Sequence, residues 1–250
     1  MIEFLNNPNL PDNDVVSVIC ASEDEDVLNF FDESHIEVIP CEANLCVDPS
    51  IKNHTDIMAL HIGENNIVID KQQTKLNNKL TDIGMNTLFT KEPVAGEYPD
   101  DVKLNFTVIG KDVVGNFRYA DDILSEVLKN FDKTSVKQGY CKCSVLVISE
   151  KAVITDDQSI YRNLAEKGFD CLLISKGDVF LDGHEYGFIG GASGKISKDK
   201  VVFFGDITKH RDFDRIKTFL CAYNCSFVCS DKNKLRDIGG FIPLMQNSNE

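Results

Sequence analysis

The chain has 250 residues, 42% of them hydrophobic and 26% charged, with a formal net charge of −14. That is the composition of a soluble globular protein long enough to bury a sizeable core. The excess of carboxylates excludes nucleic-acid phosphates and anionic membrane surfaces as partners and leaves room for a small cationic molecule. No apolar run reaches the ~18 residues of a membrane span, and MIEFLNNPNLPDND has no basic leader, so neither a transmembrane helix nor a signal peptide is expected. Nine cysteines, an odd number, read as reduced thiols in the cytoplasm.

In chain order, residues 1–13 read as a polar lead-in. Val15 to Cys20 is a strand, Ser22 with Glu25 suggests a capping box, and Val27, Leu28 and Phe31 mark a helix; Ile36 to Ile39 is a strand ended by Pro40. Ile57 to Ile62 and Ile67 to Asp70 flank the turn GENN as a hairpin. A helix follows on Leu76, Leu80 and Ile83, then a strand at Asn86 to Thr90. Phe106 to Ile109 and Val113-Val114 bracket GKD, followed by a helix on Ile123, Val127, Leu128 and Phe131 and a short strand at Ser135-Val136. Ser144 to Ser149 and Ala152 to Thr155 form another hairpin. Asp156-Asp157 can cap the helix carrying Ile160 and Leu164, Gly168 stands at its C′ position, and Cys171 to Ile174 is a strand. DVFLDGHEYGFIGGASG is a glycine-rich connection. Lys195 to Ser197 and Val201 to Phe204 make the last hairpin, before a helix on Phe213, Ile216, Phe219 and Leu220, a strand at Ser226 to Val228, and a lone strand at Phe241 to Leu244.

The pattern strand, strand, helix, strand therefore recurs with a period of roughly 39 to 49 residues. Four units are complete. The first lacks its leading arm, which Phe241 to Leu244 can supply by pairing with Val15 to Cys20. The expected architecture is α/β: a five-bladed ββαβ propeller spanning 1–250 as a single domain, closed through the C-terminal strand. A doubly wound sheet, the rival, explains neither the hairpins nor the final strand.

HTDI at 54–57, VKQGYCKCS at 136–144, ITDD at 154–157, YGFIGGASG at 186–194, FFGD at 203–206 and LRDIGGFIPL at 235–244 resemble an uncharacterised bacterial family of the pentein, or guanidino-group-modifying enzyme, fold. The resemblance implies a five-bladed β/α propeller. It also implies, for the enzymes of the fold, a cysteine that attacks a guanidinium carbon, a histidine that moves protons and carboxylates that hold the cation. Those enzymes carry the cysteine near the C-terminus; here LRDIGGFIPLMQNSNE contains none. A ribosome anti-association initiation factor shares the fold without a known reaction.

In a ring the segments before each hairpin converge on the axis. They contribute His54 and Asp56, Asp101 and Asn105, Cys141 and Cys143, Gly190 to Ser193, and Asp237 to Gly240. His54 is the candidate proton carrier and Cys141 or Cys143 the candidate nucleophile. Asp56, Asp101, Asn105 and Asp237, with backbone room at Gly190 and Gly191, are candidates to hold a cationic substrate, because carboxylates match a planar guanidinium. The structural alternative is that Asp and Asn end loops and the cysteines pack. CKC is too tight for a zinc pair, so no metal is expected; GFIGGASGK lacks phosphate-loop spacing and precedes a strand, so no nucleotide cofactor is expected. Asp156 and Asp206 read as helix caps, and His35, His61, His184 and His210 receive no role. The expected function is an enzyme acting on a guanidino or related small cation. The alternative is a non-catalytic binding protein of the same fold. No oligomeric state is assigned.

Overall fold

A computed structural model describes residues 1–248. Among these, six α-helices and one 3-10 helix accompany small separate sheets rather than one continuous sheet. No helix among them is long and apolar enough to cross a membrane.

Each repeat forms its own sheet. Unit two is Ala59–Gly63, Asn66–Ile69, helix Thr74–Asp82 and Asn86–Phe89. Unit three is Thr107–Ile109, Asp112–Gly115, helix Ile123–Val127 and Asp132–Ser135. Unit four is Val145–Ser149, Ala152–Thr155, helix Gln158–Glu166 and Asp170–Leu173, and unit five is Ser193–Ser197, Lys200–Phe203, helix Phe213–Ala222 and Ser226–Cys229. In every case the first two strands pair antiparallel and the third pairs parallel to the second. A two- to three-residue polar turn permits only the antiparallel hairpin, whereas the helix supplies the crossover that a parallel neighbour requires. The middle strands are covered on both faces, which is why Asp112–Gly115 and Ala152–Thr155 are buried throughout.

Unit one is completed from the other end of the chain. Ile242–Asn247 pairs antiparallel with Val15–Cys20, which pairs parallel with Glu37–Pro40. The expected pairing of the C-terminal strand with Val15–Cys20 is therefore present. The lead-in is not merely polar coil: Ile2–Phe4 adds a further antiparallel strand on the outer side of Ile242–Asn247. Phe31, Phe204 and Phe241 pack edge to face at the junction of units five and one, with ring centroids 5.3 to 5.9 Å apart.

Several local expectations change. Asp24, not Ser22, caps the first helix, accepting from the amides of Asp26 and Val27; Ser22 instead accepts from the Asp24 amide. Asp157 rather than Asp156 caps the unit-four helix through the amides of Ser159 and Ile160. In the sequence the two aspartates are interchangeable; the strand end turns Asp156 inward. Asp206 caps as expected, on the Thr208 amide. Thr55–Met58 forms one helical turn before its strand starts. The glycine-rich connection contains Val179–Phe180, paired parallel with Leu235–Arg236.

Candidate active site

The segments that enter the first strands meet at one end of the units. His54 is the N-cap residue of the turn Thr55–Met58, and Thr55 Oγ1 accepts from the Ala21 amide, which ties unit two to unit one. The Asp56 amide donates to the Gly239 carbonyl at 3.2 Å, bringing the C-terminal segment alongside. From unit three, Asn105 Oδ1 accepts from the amides of Lys142 (2.7 Å) and Cys143 (3.4 Å), while its Nδ2 donates to Cys143 Sγ at 3.2 Å. Asn105 thus fixes the turn that presents Cys143.

Cys143 Sγ donates to Asp56 Oδ2 at 2.8 Å. One donor atom each from His54, Asp56 and Cys143 lies within 4.8 Å of the other two, and all three residues are buried. Asp237 Oδ1 stands 3.9 Å from His54 Nδ1. Asp237 is itself clamped, accepting from the amides of Phe188 (2.8 Å) and Gly239 (2.9 Å). Gly191 makes that clamp possible: a Cβ there would stand 1.9 Å from Asp237 Oδ1. A soft cation fits this donor set in kind and would take the place of the thiol proton on binding.

Burial dominates the electrostatics. It pushes Asp56 up to about 6, against the attraction of His54 and with the repulsion of Asp237. It holds the Cys143 thiol well above its ordinary value, aided by Asp56 and Asp237. Cys143 therefore rests as a thiol. Asp56 Oδ1 is buried with no hydrogen-bond partner, so the carboxylate has an acceptor to spare.

The cluster opens into a cleft of about 290 Å³. His54, Cys143 and Asp237 form its floor, and Tyr140, Tyr186 and Phe188 its aromatic side. Tyr140 and Phe188 are stacked at 6.1 Å. At the mouth His184 Nε2 lies 2.8 Å from Ser50 Oγ, which also donates to Asp48.

The candidate residues fall into two groups. His54, Asp56, Asn105, Cys143 and Asp237 are brought together. Gly190 and Gly191 support them with backbone, the Gly191 amide donating to the Cys143 carbonyl at 2.9 Å. Cys141 lies elsewhere: fully buried, it packs with Ile109, Val114 and Val145, and burial pushes its thiol up to about 12. Asp101 stands behind the cleft wall, accepting from the Tyr140 hydroxyl, its pKa raised by burial. Tyr140, Tyr186, Phe188 and His184 were not singled out in the sequence; YGF and GYC lie beside glycines in two of the converging segments, the one signal that marks three of them.

Lys142 lies between Cys141 and Cys143, and its Nζ would be 4.0 Å from a Cβ on Gly240. It lines two small recesses with Leu60, Phe106, Leu146, Ser193 and Pro243, one residue from each unit.

An amidinotransferase of the saxitoxin pathway, SxtG from Microseira wollei, is similar to this chain at TM-score 0.62 and 8% identity, with 98% of each chain covered. The inosamine-phosphate amidinotransferase StrB1 of Streptomyces griseus is similar at TM-score 0.57 and 9% identity, again over 98% of each. The agmatine deiminase of C. jejuni is similar at TM-score 0.54 and 12% identity, over 92% of this chain and 91% of that one. At such identities the likeness shows the fold, which is the pentein fold. No curated protein matches the chain. A family model matches residues 18–242, and the chain belongs to the family of unknown function DUF6873.

Proposed function

We propose that the protein is a pentein-type enzyme that acts on a small guanidino compound through Cys143, His54 and Asp56. The observation that carries this reading is the Cys143 thiol, 2.8 Å from Asp56 and within 4.8 Å of a His54 nitrogen, on the floor of a cleft that Asp237 also lines. A guanidinium entering there meets carboxylates on two sides, and its charge favours the thiolate that the empty site disfavours. The thiol proton passes to Asp56 or His54 as sulfur attacks the guanidinium carbon. The C–N bond to the departing amine then breaks, and the amine leaves with that proton. Water or an acceptor amine cleaves the C–S bond in the second half. The nucleophile thus comes from unit four rather than from the C-terminal segment.

We read the sheets of the five units as blades of one propeller spanning the chain. The residues from every unit beside Lys142 and the aromatic seal between units five and one support that arrangement.

The test is covalent labelling with a chloroacetamidine, followed by mass spectrometry, alongside assays for ammonia or amine release from simple guanidines. A single adduct on Cys143, slowed by guanidinium, is expected. Modification no faster than by neutral chloroacetamide, with no protection by guanidinium, would leave a non-catalytic binding protein as the better reading.

A further inference from the structure

In the sequence Cys143 pairs only with Cys141, a spacing too tight for a metal, and the fold packs Cys141 away in the core. In its place Cys143 gains two partners from unit two, His54 and Asp56. One donor atom of each lies within 4.8 Å of the others, and among the described residues no other three Cys, His, Asp or Glu side chains meet this closely. The three residues are 4%, 2% and 1% exposed for His54, Asp56 and Cys143. Imidazole, carboxylate and thiolate are the ligand types that cations of the zinc class take. A second observation points to a ligand. Asp56 Oδ2 accepts from the thiol, but Oδ1 is buried with no hydrogen-bond partner. A carboxylate oxygen left dry in this way is costly, and a bound cation offsets that cost. The cleft that reaches His54 and Cys143 supplies an entry path.

We propose that His54, Asp56 and Cys143 bind a thiophilic divalent cation of the zinc class, with a fourth position open to the cleft. Bond lengths of about 2.0 to 2.3 Å set the donors of a tetrahedral site about 3.5 Å apart. Cys143 Sγ and Asp56 Oδ2, now at 2.8 Å, therefore separate by about 0.7 Å, and no donor pair closes by more than about 1.3 Å. On binding, the Sγ–H bond breaks, its proton leaves to solvent and the sulfur lone pair binds the cation; nothing is oxidised or reduced. Asn105 Nδ2 donates to the sulfur at 3.2 Å and the Asp56 amide donates to the Gly239 carbonyl, which keeps both ligands oriented. Asp237, 3.9 Å from His54, adds negative charge beside the ligand set. The cation takes the thiol and the carboxylate that a guanidinium needs, so the two exclude each other and the metal holds the site off. That consequence rests on the reading of the cleft as a guanidinium site; the binding itself does not.

The experiment uses the full chain with its exposed thiols removed as Cys46→Ser and Cys221→Ser. Cobalt(II) is titrated while thiolate-to-cobalt charge-transfer absorption is recorded, and zinc is then followed by its displacement of cobalt. About one equivalent is expected, with that absorption and with about one proton released per ion near pH 8. Affinity should fall at least about a hundredfold in Cys143→Ser and at least about tenfold in Asp56→Asn, since losing a group that only touches a ligand already costs about 10–100-fold. Magnesium, which takes oxygen ligands, should not displace cobalt. Zinc should stop chloroacetamidine labelling of Cys143, and EDTA should restore it. Cobalt bound without thiolate absorption, or with unchanged affinity in Cys143→Ser and Asp56→Asn, overturns the site. If Cys143→Ser fails to fold, protein alkylated at Cys143 with chloroacetamide carries the comparison, and full cobalt binding there overturns the site. Metal bound through Cys143, with no competition from guanidinium and no selective amidine labelling, upholds the site and overturns the proposed function. Selective, guanidinium-protected labelling in protein that binds neither metal does the reverse.

Discussion

Cys143 hands its thiol hydrogen to Asp56 Oδ2 over 2.8 Å and across 87 positions of sequence. The bond explains how a carboxylate with one orphaned oxygen is tolerated in a dry site. Cys143→Ser keeps a donor in place and should change stability by less than about 1 kcal/mol while abolishing the amidine adduct. Cys143→Ala leaves both Asp56 oxygens without that donor and should cost about 1–3 kcal/mol. Urea melts of the two variants check the order; equal losses would show that the bond contributes nothing.

His54 is 4% exposed, with Gly239 directly against it. His54→Ala should therefore lose activity and also about 1–2 kcal/mol of stability. Paired melts and labelling rates separate the two effects, and labelling at the wild-type rate would remove His54 from the proton path.

Gly239 has φ +69°, and a Cβ on it would stand 2.2 Å from His54 Cα. Gly183 has nearly the same backbone, φ +73°, with nothing within 4 Å. Gly183→Ala should cost about 1 kcal/mol for the left-handed conformation alone. Gly239→Ala should cost more than about 3 kcal/mol and block labelling of Cys143, because backbone must move. Denaturant midpoints for the pair isolate the steric part.

Asp156 is buried with Oδ1 unpaired, and burial, opposed by Lys176 and reinforced by Asp157 and Asp237, pushes it up to about 7. A carboxyl whose folded pKa lies above its unfolded value near 3.9 binds its proton more tightly in the native state. Its contribution to stability is full below about pH 4 and is lost as pH rises through about 7. Asp156→Asn should therefore be more stable than wild type by about 2–4 kcal/mol at pH 8, with the gain gone near pH 4. Thermal melts across pH check this; a pH-independent difference would mean that the buried charge is not the cause.

Ile242–Asn247 lies between Ile2–Phe4 and Val15–Cys20. A chain ending at Gly240 should expose both neighbours and lose its cooperative melt. A truncated protein that melts like the full chain would remove this strand from the stability of unit one.

The fold was legible because its signal repeats. One unit of apolar run, polar turn, apolar run, helix and strand is ambiguous, but several in series are not. The site was half legible. His54, Asp56 and Cys143 stand at equivalent places in their repeats, so convergence could be expected of them. Cys141 stands there too, yet side chains two positions apart in a turn need not face the same way, and no periodicity tells which of the pair enters the core. The aromatic wall was hidden for another reason: tyrosines and phenylalanines in loops look alike whether they line a cleft or fill a gap. Ile2–Phe4 was missed because three residues carry no period.

The strand that completes unit one is synthesised after the other four units, and it fits between two strands made before them. Val15–Cys20 must therefore wait, with one edge unpaired, until the other four units have left the ribosome. Asp237 and Gly239 immediately precede that late strand, so the floor of the cleft is assembled in the same closing event. Contacts of such long sequence separation fold slowly. The order of synthesis thus acts as a timer: the thiol and its carboxylates come together only once Ile242–Asn247 has found Val15–Cys20.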